Sequence, residues 1–148
     1  MAAVDFGTAR IGIAISDAAR TVSSPYANYT RRALEADAKY FRELGAREEI
    51  GLWVVGLPVH LSGREGRLSA EARRFAEWLA RVTGAEVVLF DERFTTSEAQ
   101  ELLAQGGLTR RQRKRRLDML AAQVMLRAFL ESPTRVGDDA PRPLDDAP

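Results

Sequence analysis

Cysteine is absent from the 148-residue chain, and histidine occurs once, at His60. The lack of cysteine excludes disulfides, thiol catalysis and thiolate metal sites, and a lone histidine excludes a site built from several imidazoles. A metal ion would therefore be held mainly by carboxylates, which favour Mg²⁺ or Mn²⁺. Long apolar runs are also missing, and the first residues enter a strand pattern rather than a signal peptide. These absences predict a cytoplasmic protein.

Charge is balanced overall, with a formal net charge of +1, but it is unevenly distributed. The segment TRRQRKRR, residues 109–116, carries six positive charges and no negative one. Residues 132–148 hold four aspartates and four of the six prolines, a composition typical of disorder. The length and the 45% apolar content suit one domain with a real core. We therefore predict a folded domain over residues 1–131 and a disordered tail over residues 132–148.

Apolar periodicity predicts the element order β-β-β-α-β-α-β-α-α. Strands are predicted near residues 2–6, 11–16 and 21–28 and in the runs IGLWVVGLP and AEVVLF, with Pro25 marking the third strand as an edge. Helices are predicted over 32–49, 69–82, 95–106 and about 112–131, the third opening with a capping box at Thr95 and Glu98. Short turns between the early strands indicate an antiparallel meander, and the later alternation with helices indicates parallel pairing. The predicted fold class is α/β with a mixed five-stranded sheet.

Predicted core positions follow from the same periodicity. The first helix has the apolar stripe Leu34, Ala38, Phe41 and Leu44. Trp53 and Trp78 fall within predicted buried elements and are assigned to the core. The two tryptophans are therefore interpreted as core residues rather than as platforms for base stacking.

Acidic residues occur where buried elements end. Asp5 ends the first predicted strand, and Asp91 and Glu92 end the last. Asp118 precedes Ala122, Met125 and Phe129 at helical spacing, on an apolar stripe. Two divalent ions held by such carboxylates activate water and stabilise the leaving oxygen of a phosphodiester. Without a cation, each like-charge pair at about 4 Å costs on the order of 4 kcal/mol at an effective dielectric of 20.

Each acid also has a structural interpretation. Asp5 is placed to cap a turn, Asp91 to pair with an arginine such as Arg93, and Asp118 to interact with a helix dipole as an N-terminal acid. These alternatives stay open for each residue taken singly. Their occurrence on three separate elements favours catalysis.

Four segments occur in order along the chain: VDFGTARIGIAISD, VVGLPVHLSGREG, FDERFTTSEA and LDMLAAQVMLRAFL. Together they resemble the YqgF/RuvX family of pre-16S rRNA nucleases, also called Holliday junction resolvases. The resemblance runs from Asp5 to about Glu131. It implies an RNase H-like fold, which agrees with the element order above.

The resemblance also implies metal-dependent phosphodiester cleavage by an acidic triad, with Mg²⁺ or Mn²⁺ as cofactor. Carried over by motif, the catalytic and metal-binding residues are Asp5, Glu92 and Asp118. Asp91 is an alternative to Glu92, because adjacent residues on a strand point to opposite faces. The natural substrate stays open between the 5′ end of a pre-16S rRNA and branched or single-stranded DNA intermediates of recombination and repair.

The second of these segments, VVGLPVHLSGREG, contains a predicted loop that departs from the family pattern at two positions. His60 stands where the family usually has asparagine, and Ser62 where it has aspartate. We interpret His60 as a loop residue near substrate, and its position keeps a role as catalytic base open.

Basic residues lie close to the predicted acids in the sequence. The run before Asp118 is expected to contact a phosphate backbone, the alternative being a solvated loop. Arg10 and Arg93, beside Asp5 and Glu92, are expected to hold the scissile phosphate. The candidate nucleic-acid-binding residues are Arg10, Arg93, Arg110, Arg111, Arg113, Lys114, Arg115 and Arg116. No feature predicts base-edge readout.

Two other functions compete with a nuclease. An actin-like or sugar-kinase-like ATPase also begins with an Asp-x-Gly-Thr turn, but it needs two such domains to close around the nucleotide. A non-catalytic, nucleic-acid-binding module of ribosome assembly fits the basic run, although the complete acidic triad argues against it. A junction resolvase would act as a dimer to cut two strands, so the sequence leaves a monomer or a homodimer open.

Overall fold

The computed structural model describes residues 1–58, 66–91 and 109–131. The predicted helix over 95–106, with its capping box, and the predicted tail over 132–148 lie outside these residues. The strands are β1 (Ala2–Asp5), β2 (Arg10–Ser16), β3 (Ser23–Thr30), β4 (Leu52–Leu57) and β5 (Glu86–Asp91). The helices are α1 (Leu34–Arg47), α2 (Arg67–Thr83) and α3 (Arg110–Glu131).

The five strands form one mixed sheet in the order β3-β2-β1-β4-β5. β1 pairs antiparallel with β2, and β2 with β3, whereas β1 pairs parallel with β4, and β4 with β5. The predicted meander and the predicted parallel pairs are both confirmed. The carboxyl ends of β1, β4 and β5 therefore meet at one edge of the sheet, which we call the carboxyl edge.

Helices cover both faces of this sheet. On one face, α1 and α2 pack on alternate strand residues that include Val4, Ile13, Trp53 and Val55. On the other, α3 packs on the intervening residues, which include Ala3, Ala14, Val54 and Val88. We call these the α1/α2 face and the α3 face. Strand alternation then assigns every residue near the carboxyl edge to one face or the other.

The central strand β4 is buried on both faces along its whole length. This burial explains its uninterrupted apolar sequence, since such a strand has no solvent side that polar residues would occupy. Trp53 in β4 is fully buried, as predicted. Trp78 in α2 packs against the core but is only partly buried, which differs from the predicted full burial.

Strand β3 is an edge strand, as Pro25 predicts. The pairing of β2 with β3 is irregular between Ile13 and Ala14, and Pro25 lies opposite Ala14. Because proline has no N–H to donate, it is tolerated at such an interruption on a free edge.

Helix α1 differs from its predicted apolar stripe at one position. Phe41 and Leu44 are buried as expected, but Leu34 is 60% exposed. Asp37, which lies one turn before Phe41, is 1% exposed and takes the inward place. A carboxylate buried this deeply requires hydrogen-bond donors.

Within the described ranges, no helix is both long enough and apolar enough to cross a membrane.

Candidate active site at the carboxyl edge

Asp5 is the last residue of β1 and lies half-buried at the carboxyl edge. It pairs in register with Gly12 on β2. Strand alternation places it with Ala3 on the α3 face, because Val4 between them packs on the other face. Asp5 therefore faces the side of the sheet that carries α3, the helix containing Asp118.

Glycine flanks Asp5 on both neighbouring strands. Gly12 is its partner on β2, and one step beyond the Val4–Val55 pair the register brings Asp5 beside Gly56 on β4. Gly12 and Gly56 themselves contribute no side chain to this row. Glycine in a strand is common where a ligand or another backbone approaches closely.

Asp91 occupies the opposite face. It ends β5 in register with Leu57. Phe90 packs on the α3 face and Leu89 on the α1/α2 face, so alternation puts Asp91 with Leu89. The structure therefore does not bring Asp91 and Asp5 to the same face. Glu92, the other candidate, lies outside the described residues.

Asp118 lies in α3, eight residues after the helix begins at Arg110. The stabilising effect of a helix dipole on an acid falls off within the first turn. The interpretation of Asp118 as an N-terminal helix acid is therefore wrong. One turn further on, Ala122 is fully buried against the sheet, and Met125 and Phe129 follow on the same stripe.

The basic residues 110–116 form the first two turns of α3 rather than a loop. Thr109 and Gln112 make a reciprocal capping box, in which each residue's backbone N–H donates to the other's side-chain oxygen, at 2.9 and 3.2 Å. The pattern Thr-x-x-Gln signals this helix start in the sequence, where a start near 112 was predicted. Positive charge in the first turn of a helix is unfavourable, by about 0.3–1 kcal/mol per residue at low salt, so helix stability does not account for the basic residues that begin α3.

The remaining predicted site residues are only partly covered by the described ranges. Arg10 begins β2, is exposed, and pairs in register with Thr30. Between β1 and β2, a Cβ atom on Gly7 would overlap the backbone carbonyl oxygen of Arg10. The turn beside Asp5 therefore requires glycine at this position. His60 and Arg93 lie outside the described residues.

Arg31 was not predicted as part of this edge. Its guanidinium lies 5.4 Å from the ring centre of Phe6 and 5.9 Å from that of Phe75. Its Nε is 3.5 Å from Oδ2 of the buried Asp37. Oδ1 of Asp37 accepts hydrogen bonds from the Tyr29 hydroxyl at 2.7 Å and from the Arg32 N–H at 2.9 Å. Helical spacing places position 37 on the buried face of α1 with positions 41 and 44. An aspartate at that position is nevertheless expected to face solvent, so its burial was not predicted.

The Tyr29 phenol lies in an altered environment as a result. Burial and the hydrogen bond to Asp37 raise the pKa of Tyr29 to about 12. Both effects favour the neutral phenol, which donates to the carboxylate.

Carboxylate chemistry at this edge suits a hard divalent cation. Asp5 supplies a carboxylate oxygen donor between two glycine positions, and neither cysteine nor a second histidine competes for the ion. Among the residues described, no group of three or more His, Cys, Asp or Glu side chains comes together. Of the three predicted acids, only Asp5 has its side chain among the described residues.

Comparison with known proteins identifies relatives of the whole folded region. Residues 1–132 match the family model described as "RuvX: Holliday junction resolvase". A Rhodopirellula baltica protein named "Putative pre-16S rRNA nuclease" is 46% identical over 147 residues, covering 99% of this chain and 85% of that one. A protein of the same name from an Anaeromyxobacter species is 41% identical over 128 residues, covering 86% of this chain and 93% of that one.

A solved structure shows the same fold. RuvC of T. thermophilus, in complex with a Holliday junction substrate, aligns with a TM-score of 0.57 at 12% identity, covering 91% of this chain and 99% of that one. RuvC has an RNase H-like fold, so the predicted fold class is confirmed.

Proposed function

The chain belongs to the RuvX family, and from that premise we propose that it is a metal-dependent nuclease that hydrolyses phosphodiester bonds in structured nucleic acid. Its substrate is either the 5′ end of a pre-16S rRNA or a branched DNA intermediate such as a Holliday junction. The observation that carries the proposal is the position of Asp5 at the carboxyl edge, on the α3 face and between two glycines. Ligand sites of α/β sheets form at this kind of edge.

We assign the catalytic and metal-binding roles to Asp5, Glu92 and Asp118. The parity of β5 supports Glu92 over Asp91, because Asp91 shares the α1/α2 face with Leu89 whereas Asp5 is on the α3 face. A carboxylate that shares a metal ion with Asp5 has to reach the α3 face, so the position of Asp91 argues against it and leaves Glu92 as the candidate. This argument predicts that replacing Asp91 is tolerated and that replacing Glu92 is not.

The apolar stripe of α3 supports Asp118 as the third acid. Ala122, one turn after Asp118, is fully buried against the sheet on the α3 face, and Met125 follows on the same stripe. Asp5 faces the same side of the sheet. The two acids therefore belong to elements that pack together on one face.

Three carboxylates would hold Mg²⁺ or Mn²⁺. When bound, these ions supply the charge that activates an attacking water and stabilises the leaving oxygen. The protein's own contribution is to fix its carboxylates on rigid elements, a strand end and a helix packed on the sheet. Without a cation these carboxylates repel one another.

The basic segment, residues 110–116, would contact the phosphate backbone. Its helical backbone, shown above, places the whole run before Asp118 on the same helix. The positive end of the helix dipole adds to the charge of the side chains, so the field at this end attracts anions. Exposed Arg10, near the Asp5 strand end, and Arg93 would hold the phosphate next to the bond that is cut.

A cleavage assay with paired variants tests the proposal. With Mn²⁺ or Mg²⁺, the wild-type protein should cleave a pre-16S rRNA fragment or a four-way DNA junction, and EDTA should abolish cleavage. Glu92→Gln and Asp118→Asn should each lower the rate by several orders of magnitude. Asp91→Asn is the matched control and should retain most of the activity.

Three outcomes would count against the account. Full activity in EDTA would exclude the metal-dependent mechanism. Loss of activity in Asp91→Asn but not in Glu92→Gln would reverse the assignment of the acid. Nucleic-acid binding without cleavage on any substrate would favour the non-catalytic assembly module. The cytoplasmic location and the choice between monomer and homodimer stay predictions.

A further inference from the structure

A second concave surface opens at the carboxyl edge, on the face opposite to Asp5. It has a volume of about 360 Å³, within the range of small-molecule sites. We call it the aromatic cleft, defined by Phe6, Arg31, Glu71, Arg74, Phe75 and Trp78. No role at the site described above uses it.

Three aromatic rings form a continuous row along the cleft. The ring centres of Phe6 and Phe75 are 5.0 Å apart, and those of Phe75 and Trp78 are 5.5 Å apart. Phe75 is 5% exposed and anchors the row in the core, whereas Trp78 is only partly buried. A row of fixed rings with an accessible member is the kind of surface on which nucleobases stack.

Charged groups surround this row. Arg31 is held over the rings of Phe6 and Phe75 by its contact with Asp37, and Arg74 is exposed at the rim. Oε1 of Glu71 is 3.6 Å from the Arg67 guanidinium. Oε2 of Glu71 is buried and has no hydrogen-bond partner in the described part of the chain. Rotation of the carboxylate exchanges the two oxygens, so Glu71 has acceptor capacity for the amino group of a base.

The cleft is adjacent to the proposed catalytic edge along the chain. Phe6 follows Asp5 directly, so their Cα atoms are about 3.8 Å apart. Asp5 faces α3, and Phe6 packs with the α1/α2 core. A nucleic-acid strand that crosses this edge would therefore present a phosphate to Asp5 and a neighbouring base to the cleft.

We propose that the aromatic cleft binds one unpaired nucleobase of the substrate strand, next to the phosphodiester bond at Asp5. This inference rests on the proposed function, and it specifies the substrate. A base held among these rings cannot remain in a duplex stack, so the substrate must be unpaired beside the cut. Arg74 at the rim would contact a phosphate of the same strand.

Tryptophan fluorescence tests the cleft directly, because the chain has two tryptophans and only Trp78 lines it. Trp53 is fully buried and supplies a constant background. In EDTA, a short single-stranded RNA should quench the fluorescence, and an abasic strand of equal length and charge should not. Trp78→Phe should remove the quenching and assign it to this residue.

Affinity measurements give a second readout. Trp78→Leu should weaken binding of the base-containing strand at least about fivefold, the lower end of what stacking on one aromatic ring contributes. Arg74→Ala should lower the salt slope for this strand by about 0.7. Arg81→Ala is its control, because Arg81 is also an exposed arginine of α2 but does not line the cleft.

Equal quenching by the abasic strand, or no quenching by either, would overturn the cleft proposal. These results are separate from the nuclease proposal. Cleavage with Mn²⁺ but without base-dependent quenching would support the nuclease proposal and refute the cleft proposal. Base-dependent quenching without cleavage of any substrate would support base binding in the cleft and refute the nuclease proposal.

Discussion

Asp37 joins the core of the domain to its carboxyl edge, and its replacement gives a prediction whose size follows from the structure. The carboxylate is 1% exposed. It accepts hydrogen bonds from the Tyr29 hydroxyl and the Arg32 N–H and contacts the Arg31 guanidinium at 3.5 Å. Asp37→Ala removes the acceptor from all three groups at once.

The expected cost is about 3–4 kcal/mol in the free energy of unfolding. Each hydrogen bond to a charged acceptor contributes about 1.5–3 kcal/mol. The lower value applies to Tyr29 and Arg32, because neither residue is buried and water replaces part of each bond. Arg31 is 24% exposed and its ion pair is long, so it adds at most about 1 kcal/mol. Asp37→Asn retains one acceptor oxygen and should cost about half as much.

Chemical denaturation followed by tryptophan fluorescence measures this difference. Glu43→Ala is the matched control on the same helix, since Glu43 is 61% exposed and lies 3.9 Å from Lys39. It should change the free energy of unfolding by less than about 0.5 kcal/mol. If Asp37→Ala lies within 1 kcal/mol of the wild type, on the order of one ordinary hydrogen bond, the buried carboxylate does not organise these contacts.

Three further predictions concern the turn, the buried phenol and the basic segment. Gly7→Ala should destabilise the protein by about 1–3 kcal/mol, because its Cβ meets the Arg10 carbonyl oxygen; Gly51→Ala, where nothing lies within 4 Å, should be neutral or slightly stabilising in the same denaturation assay. Because the pKa of Tyr29 is raised from 10.0 to about 12, its stabilising contribution is complete below pH 10 and is lost as the pH rises toward 12. Between pH 10 and pH 12 the melting temperature should therefore fall more steeply for the wild type than for Tyr29→Phe. Parallel curves of melting temperature against pH would refute this. Replacing residues 113–116 by alanine should flatten the slope of log affinity against log salt by about 0.7 to 0.9 for each side chain that contacts phosphate, whereas an unchanged slope would show a solvated run.

The sheet could be predicted because its signals are local. An uninterrupted apolar run indicates a strand buried on both faces, and β4 is such a strand. Alternating isoleucines predict β2, and Pro25 predicts an edge. The sequence also draws attention to Asp5, because burying a carboxylate at the end of an apolar strand is costly unless the charge is compensated.

Other features could not be predicted because they depend on contacts between elements rather than on the pattern within one element. Asp37 is buried because the Tyr29 hydroxyl in β3 and the Arg32 N–H in the connection before α1 donate to its carboxylate. A helical period places position 37 inward, but the identity of the residue argues against it. Leu34 has the apolar identity of a core residue, but it begins α1 beside the aromatic cleft and is exposed there.

The arrangement around Asp5 also depended on strand register. The sequence shows Gly12 and Gly56 far apart, and only the sheet brings the first into register with Asp5 and the second one step beyond the last pair. The face of Asp91 likewise follows from which residues of β5 pack against α3. A shift of one residue in register would exchange these faces.

Asp5 has to serve chemistry rather than folding if this protein is a nuclease of the proposed kind. A carboxylate that works with Glu92 and Asp118 repels them in the absence of metal, so loss of its charge should relieve the metal-free protein. Asp118→Asn should behave in the same way. The double variant should be no slower than either single one, because either change alone disables the site.

The most direct test is therefore Asp5→Asn, measured for unfolding in EDTA and for cleavage in Mn²⁺ on the same preparation. We expect the stability to hold or rise while the cleavage rate falls by several orders of magnitude. A capping or pairing role predicts the reverse, a loss of roughly 0.5–2 kcal/mol in stability. Such a loss, with cleavage largely retained, would contradict the assignment of Asp5 to a nuclease site.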